Sequence, residues 1–173
     1  MHRRLFALQV RPLSSAAAFV LALLCVPCAD ADAQQRHAAA QAEPVEAEIP
    51  SGRLLQPAEL AQILRSSSGE KPLILQVGSH VLYAEAHIPG SQYVGATGQD
   101  SGLQSLRDRV RTLGRDRLVV IYCGCCPWTR CPNIRAAYQE LVSLGFTRVK
   151  ALYLADDFGR DWVAQGYPVV RGS

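Results

Sequence analysis

The chain has 173 residues, 49% of them apolar and 19% charged, with 18 lysines and arginines against 15 acidic residues and a net charge of +3. That composition is enough to bury the core of one domain and excludes a disordered chain. The basic surplus is too small and too scattered to argue for nucleic acid as a partner.

Residues 1–33 read as a secretory signal. His2, Arg3, Arg4 and Arg11 supply a positive start, and the apolar run from Ala16 to Val26 follows. The run falls short of the ~20 residues that span a bilayer as a helix and suits the apolar core of a signal. Ala29-Asp30-Ala31 and Ala31-Asp32-Ala33 then offer small-residue cleavage sites. Cys25 and Cys28 sit at the depth of a lipoprotein signal, but Leu24 and Pro27 precede them where a small residue is needed. The expectation is a cleaved, periplasmic or secreted protein with no stable membrane insertion. Residues 34–52, rich in Ala, Gln and Glu, have no apolar periodicity and read as a flexible lead. The folded unit is expected over residues 53–173.

Within it, Pro57 to Ser66 carries Leu60, Ile63 and Leu64 on one helical face, with Pro57 in the first turn. Leu73 to Val77 reads as a buried strand. Residues 78–102 are rich in glycine and read mostly as loop. Leu103, Leu106, Val110 and Leu113 form the next helix face, ended by Gly114. Leu118 to Tyr122 is the clearest strand. Asn133 is a candidate cap for a helix holding Ile134, Ala137, Tyr138, Leu141 and Leu144, closed by Gly145. Val149 to Leu154 is a third strand, and Asp161 to Gln165 a short last helix. Strands alternating with helices predict an α/β fold, a parallel sheet flanked by helices on both faces, with the ligand site outside the carboxyl ends of the strands.

Four of the six cysteines, Cys123, Cys125, Cys126 and Cys131, fall in the segment between the central strand and the following helix. Backbone N–H groups at a helix start are unpaired and carry the positive end of its dipole, so a thiolate there is stabilised. Arg130 and Arg135 add positive charge, and Gly124 allows a tight turn after Cys123. A structural disulfide within so short a loop gains little closure entropy, and the adjacent Cys125 and Cys126 can bridge only through a distorted peptide. No cysteine is separated from a following arginine by five intervening residues, as a cysteine phosphatase requires, since six, four and three residues lie between Arg130 and Cys123, Cys125 and Cys126. A Cys123–Cys126 redox pair remains open, as does a site for Zn²⁺ or Cu⁺, though a contiguous run of ligands makes an awkward tetrahedral cage.

The segments Leu75-Gln76-Val77, Ala86-His87-Ile88-Pro89-Gly90-Ser91, Val120-Ile121-Tyr122-Cys123 and Phe158 to Val169, in that order, resemble the rhodanese family of sulfurtransferases over roughly Gln56 to Arg171. The chain departs from the family pattern in four places. Gln76 stands for the usual Asp and Gly78 for the usual Arg, and Asp156-Asp157 replaces Gly-Gly with one extra residue before Trp162. The loop after Cys123 is also longer and holds three more cysteines. The resemblance implies a rhodanese-like sheet and a persulfide mechanism. Cys123 is the implied nucleophile, Cys125, Cys126 and Cys131 are auxiliary or resolving thiols, and Arg130, Gly124 and Trp128 are substrate-binding residues. The implied partners are a small sulfur-containing donor, such as thiosulfate, and a thiol or other thiophilic acceptor, with no cofactor. His87 is expected to make a structural hydrogen bond, and Trp162 to lie in the core.

Overall fold

The computed structural model describes residues 48–172. The expected signal, with Cys25 and Cys28, lies outside the described residues.

Five strands form one wholly parallel sheet: β1 (Leu54–Leu55), β2 (Leu73–Gln76), β3 (Gln92–Tyr93), β4 (Val119–Tyr122) and β5 (Val149–Leu152), in spatial order β1-β5-β4-β2-β3. The central strands β2 and β4 are buried at every position. That explains why they read as unbroken apolar runs rather than as alternating ones.

The pleat sends successive side chains to opposite faces. Val119, Ile121, Val149 and Ala151 enter one core, closed by helices α3 (Asp100–Val110) and α4 (Pro132–Ser143) through Leu106, Val110, Ile134, Ala137 and Leu141. Val120, Tyr122 and Leu152 enter the other, closed by helix α1 (Pro57–Arg65) through Leu60 and Ala61 and by Trp162. The helices therefore cover both faces, as expected. Cys123 continues the alternation of β4 and so falls in the α3/α4 core. That core also takes in Ile49, upstream of the expected start near Arg53.

The stretch 78–102 holds more structure than its glycines suggest. Helix α2 (His80–Glu85) and strand β3 both lie in it. Strands β1 and β3 are two residues each, too short for any periodicity to show, and β3 is an exposed edge. Helix α3 starts at Asp100 rather than Leu103, and the expected last helix at Asp161–Gln165 is a π-helical turn over Gly159–Val163. Helix α4 begins with Pro132 after Cys131 as flanking residue, so Asn133 is not its cap. Proline has no N–H to lose at that position, so the helix starts there, and the Asn133 side chain is left for other use.

The His87 segment locks the sheet from the α1 side. His87 Nδ1 lies 2.8 Å from the Tyr83 carbonyl oxygen, and its ring stacks on Tyr83 with centroids 3.9 Å apart. Its backbone exchanges two hydrogen bonds of 2.9 Å with Val170. His87 is thus structural, and Trp162 is fully buried with its indole N–H donating to Pro168 O. Among the described residues no helix is long and apolar enough to cross a membrane.

Candidate active site

After β2 the chain moves outward to β3, and then returns to the other side of β2 as β4. The carboxyl ends of β2 and β4 thus flank the point where the winding reverses, the usual ligand crevice of such sheets. Gly78 follows β2 there, and Cys123 follows β4.

Gln76 ties the two strand ends together. It is 2% exposed, its Nε2 donates to Cys123 O at 3.3 Å, and its Oε1 accepts from Gly78 N at 3.1 Å. Gly124 then takes φ +73°, a conformation that glycine adopts freely, and packs against Phe158. This turn reverses the chain so that the Cys125 sulfur comes back over Cys123, with the two Sγ atoms 2.9 Å apart. Cys126 Sγ lies 3.5 Å from Cys125. A 3-10 turn over Trp128–Arg130 leads to Cys131 and into α4.

Loop and helix start converge. The Sγ atoms of Cys123, Cys125 and Cys131 all lie within 4.8 Å of one another, and all four loop cysteines are free thiols. Cys123 and Cys131 are buried, Cys126 is half-buried and Cys125 is exposed. Cys123, Cys126 and Cys131 share a small cavity of about 10 Å³ with Gly124, Trp128, Ile134, Leu152 and Leu154. That is roughly the room of one water-sized sphere. Cys125 lines a larger neighbouring cleft of about 460 Å³ beside Leu82, Phe158, Val163 and Arg171, and Gly124 borders both.

Asn133 is the polar anchor of the cluster. Its Nδ2 donates to Cys123 Sγ at 3.4 Å and to Cys125 Sγ at 3.7 Å, while its Oδ1 accepts from Gly98 N at 2.7 Å. The amide is therefore fixed by one end and aimed at the sulfurs by the other. The sequence offered Asn133 only as a cap, and its position just inside a helix behind Pro132 was the available signal. Trp128 is half-buried, lines the cavity and tilts against Tyr153, with ring centroids 5.1 Å apart. Arg130 is exposed on the turn, and the amide contacts on the sulfurs come from Asn133 instead.

The four thiols titrate as a group, and the charge falls on the accessible one. Hydrogen bonds from the thiols of Cys123 and then Cys131 hold the Cys125 thiol well below the ordinary range. Donation to Cys125, with burial, pushes Cys123 up. Donation to Cys123 and Cys125 pushes Cys131 up, and burial pushes Cys126 up. One thiolate at Cys125, held by protonated neighbours, is the arrangement these bonds favour.

A family profile, the rhodanese-like domain, matches residues 56–154, more than half of the chain. The chain belongs to the rhodanese-like domain family. Solved structures share the fold. The BH2092 protein from Bacillus halodurans superposes with a TM-score of 0.54 at 19% identity, over 81% of this chain and 85% of that one. The Alr3790 protein from Anabaena sp. gives 0.52 at 22% identity, over 68% of this chain and 82% of that one. The rhodanese-like domain of the same Anabaena protein, solved in solution, gives 0.51 at 21% identity, over 69% and 79%. No curated protein is similar to the chain in sequence. The rhodanese-like fold thus puts a cysteine cluster at the crevice of its sheet, and a sulfurtransferase-type or related module is the class it supports.

Proposed function

We propose that the protein is an exported sulfurtransferase that moves a sulfane sulfur from a small donor to a thiophilic acceptor through a persulfide on Cys123, with Cys125 as the entry thiol. The observation that carries this reading is the 2.9 Å approach of the Cys123 and Cys125 sulfurs under the Asn133 amide. The Cys125 thiolate faces the larger cleft and attacks the outer sulfur of a donor such as thiosulfate. The donor S–S bond breaks, and sulfite leaves with the electron pair. The Cys123 sulfur then attacks the outer sulfur of the Cys125 persulfide. Cys125 departs as thiolate, and the Cys123 proton stays on the new persulfide. The small cavity beside the buried Cys123 has room for one added atom, which supports Cys123 as the holding position. An acceptor nucleophile finally takes that sulfur and frees the Cys123 thiol. Export rests on the charged start, short apolar run and A-x-A sites of residues 1–33.

Thiosulfate followed by cyanide tests it. Thiocyanate release, with a protein mass gain of one sulfur atom before cyanide, is expected. No mass gain under reducing pre-treatment overturns it. A second reading, a dithiol–disulfide oxidoreductase, is favoured by the same 2.9 Å gap, since a disulfide needs about 2.05 Å. Its pair is Cys123 and Cys125, because Cys126 stands outside the mutual cluster. Reduction of a disulfide substrate without thiocyanate formation marks that outcome.

A further inference from the structure

We propose that Cys123, Cys125 and Cys131 also form a three-sulfur binding site for a single Cu(I) ion. This goes beyond sulfur transfer and does not depend on it, because it needs only the three thiols and their placement.

The geometry supplies what the linear order of the cysteines hides. The three sulfurs come from a strand end, a glycine turn and a helix start, three separately anchored pieces of backbone, and all lie within 4.8 Å of one another. A metal–sulfur bond of about 2.3 Å in a trigonal arrangement sets the sulfurs about 4 Å apart. The Cys123–Cys125 separation of 2.9 Å must therefore open by about 1 Å. Cys125 is the exposed thiol of the set, so it is the one that can swing.

Coordination number and softness select the ion. Cys126 lies 3.5 Å from Cys125 but falls outside the group whose sulfurs are all within 4.8 Å of one another, so the set brought together is three sulfurs. Structural zinc takes four ligands, and catalytic zinc takes three and a water. Here the small cavity beside the sulfurs is walled largely by Trp128, Ile134, Leu152 and Leu154, apolar groups that give a coordinated water no hydrogen-bond partner. Cu(I) is satisfied by thiolates alone, and soft sulfur selects it. The polar side chains against Cys123 are the neutral amides of Gln76 and Asn133. The Asn133 amide N–H group points at two of the three sulfurs, and the start of α4 at Cys131 brings the positive end of a twelve-residue helix. Donors of this kind around a thiolate set hold its negative charge and orient the ligands.

Binding exchanges the remaining thiol protons for the ion. Each new Cu–S bond releases the proton that its thiol held, with no change of oxidation state, provided copper arrives already reduced. Cu(II) would oxidise the thiols instead and is not the ligand. The ion and a sulfane sulfur on Cys123 exclude each other.

The test uses the purified, reduced protein without residues 1–33, so that Cys25 and Cys28 offer no second thiol pair, under anaerobic conditions. It is titrated with Cu(I) against a coloured Cu(I) chelator, and X-ray absorption is recorded on the loaded protein. One ion per chain, three sulfur neighbours and proton release on loading are expected. Cys123→Ser, Cys125→Ser and Cys131→Ser should each surrender the copper to the chelator, whereas Cys126→Ser should retain it. Asn133→Leu should bind about 10- to 100-fold more weakly, the usual effect of losing a bond to a ligand. Circular dichroism of each variant separates loss of a ligand from loss of fold. Equal loss in Cys126→Ser, a coordination of two or four sulfurs in the wild-type spectrum, or preferential retention of zinc over copper overturns the proposal. Failure of sulfur transfer does not bear on it, because no sulfur donor is present.

Discussion

A Cβ on residue 78 would stand 2.7 Å from the sulfur of Cys123, so the glycine at the end of β2 is part of the wall of the thiol site. The same Cβ would meet Gln76 Nε2 at 3.2 Å, the atom that holds the Cys123 carbonyl. The strand end cannot retreat, because Gln76 pairs in register with Tyr122.

Gly78→Ala is therefore expected to push the Cys123 sulfur away from Cys125 and Asn133. Overpacking of this kind costs about 1–3 kcal/mol. Urea denaturation should show that loss, and persulfide trapping after thiosulfate should fall more steeply than the folded fraction. A variant that folds less stably yet accumulates persulfide at the wild-type rate would show that the close approach is packing alone.

Asn133→Ala removes two things at once. The Gly98 N–H loses its 2.7 Å acceptor, and leaving a part-buried donor unpaired costs about 1–3 kcal/mol. The sulfurs also lose an amide donor that helps hold the Cys125 thiol down. Asn133→Asp separates these effects, because an aspartate keeps the Gly98 bond but sets a negative charge beside the thiolate. Near-normal stability with slow alkylation of Cys125 at neutral pH is expected for Asn133→Asp. Fast alkylation in both variants would remove Asn133 from the chemistry.

The core of the sheet was readable because β2 and β4 are buried on both faces and leave uninterrupted apolar runs such as Leu73-Ile74-Leu75 and Val119-Val120-Ile121. The placement of Cys123 followed from β4 alone. What the sequence hid depends on contacts between distant segments. Gln76 appears in the sequence as a departure from a family pattern, yet in the fold its amide spans from Gly78 to Cys123. The convergence of Cys131 with Cys123 and Cys125 depends on the turn at Gly124 and on the 3-10 turn at Trp128–Arg130, neither of which leaves a periodic signal. That is why the cysteines look like a poor metal cage on paper and form a tight three-sulfur group in space.

The pH dependence of stability should carry the signature of the shared charge. The Cys125 thiol titrates lower in the folded chain than in the unfolded one. Its contribution is therefore complete above the ordinary thiol value of about 8.5 and fades as pH falls toward the folded value. Cys123 and Cys131 titrate higher when folded, so their contribution is complete below that value and is lost as pH rises. The urea midpoint of the reduced protein should thus climb with pH to a maximum near about 8.5 and then decline. Cys125→Ser should flatten the climb on the acid side. An unchanged acid limb in that variant would place the thiolate elsewhere.

The last prediction separates the entry thiol from the holding thiol. Cys125 is exposed, carries the lowered thiol and lines the larger cleft. Cys123 is buried on the rigid end of β4, beside a cavity that takes one atom. A rigid, buried position protects a persulfide from stray thiols, whereas an accessible thiolate collects it faster. Cys125→Ser should therefore slow the first turnover with thiosulfate while the slowly formed persulfide still survives on Cys123. Cys123→Ser should form persulfide on Cys125 quickly but lose it quickly to an added thiol. Single-turnover trapping with peptide mapping reads both the rate and the site. If Cys123→Ser gives a persulfide as durable as the wild type, the buried thiol is a structural neighbour and Cys125 alone carries the sulfur. If instead Cys125→Ser reacts at the wild-type rate, the donor reaches Cys123 directly, and the turn at Gly124 has brought up a spectator.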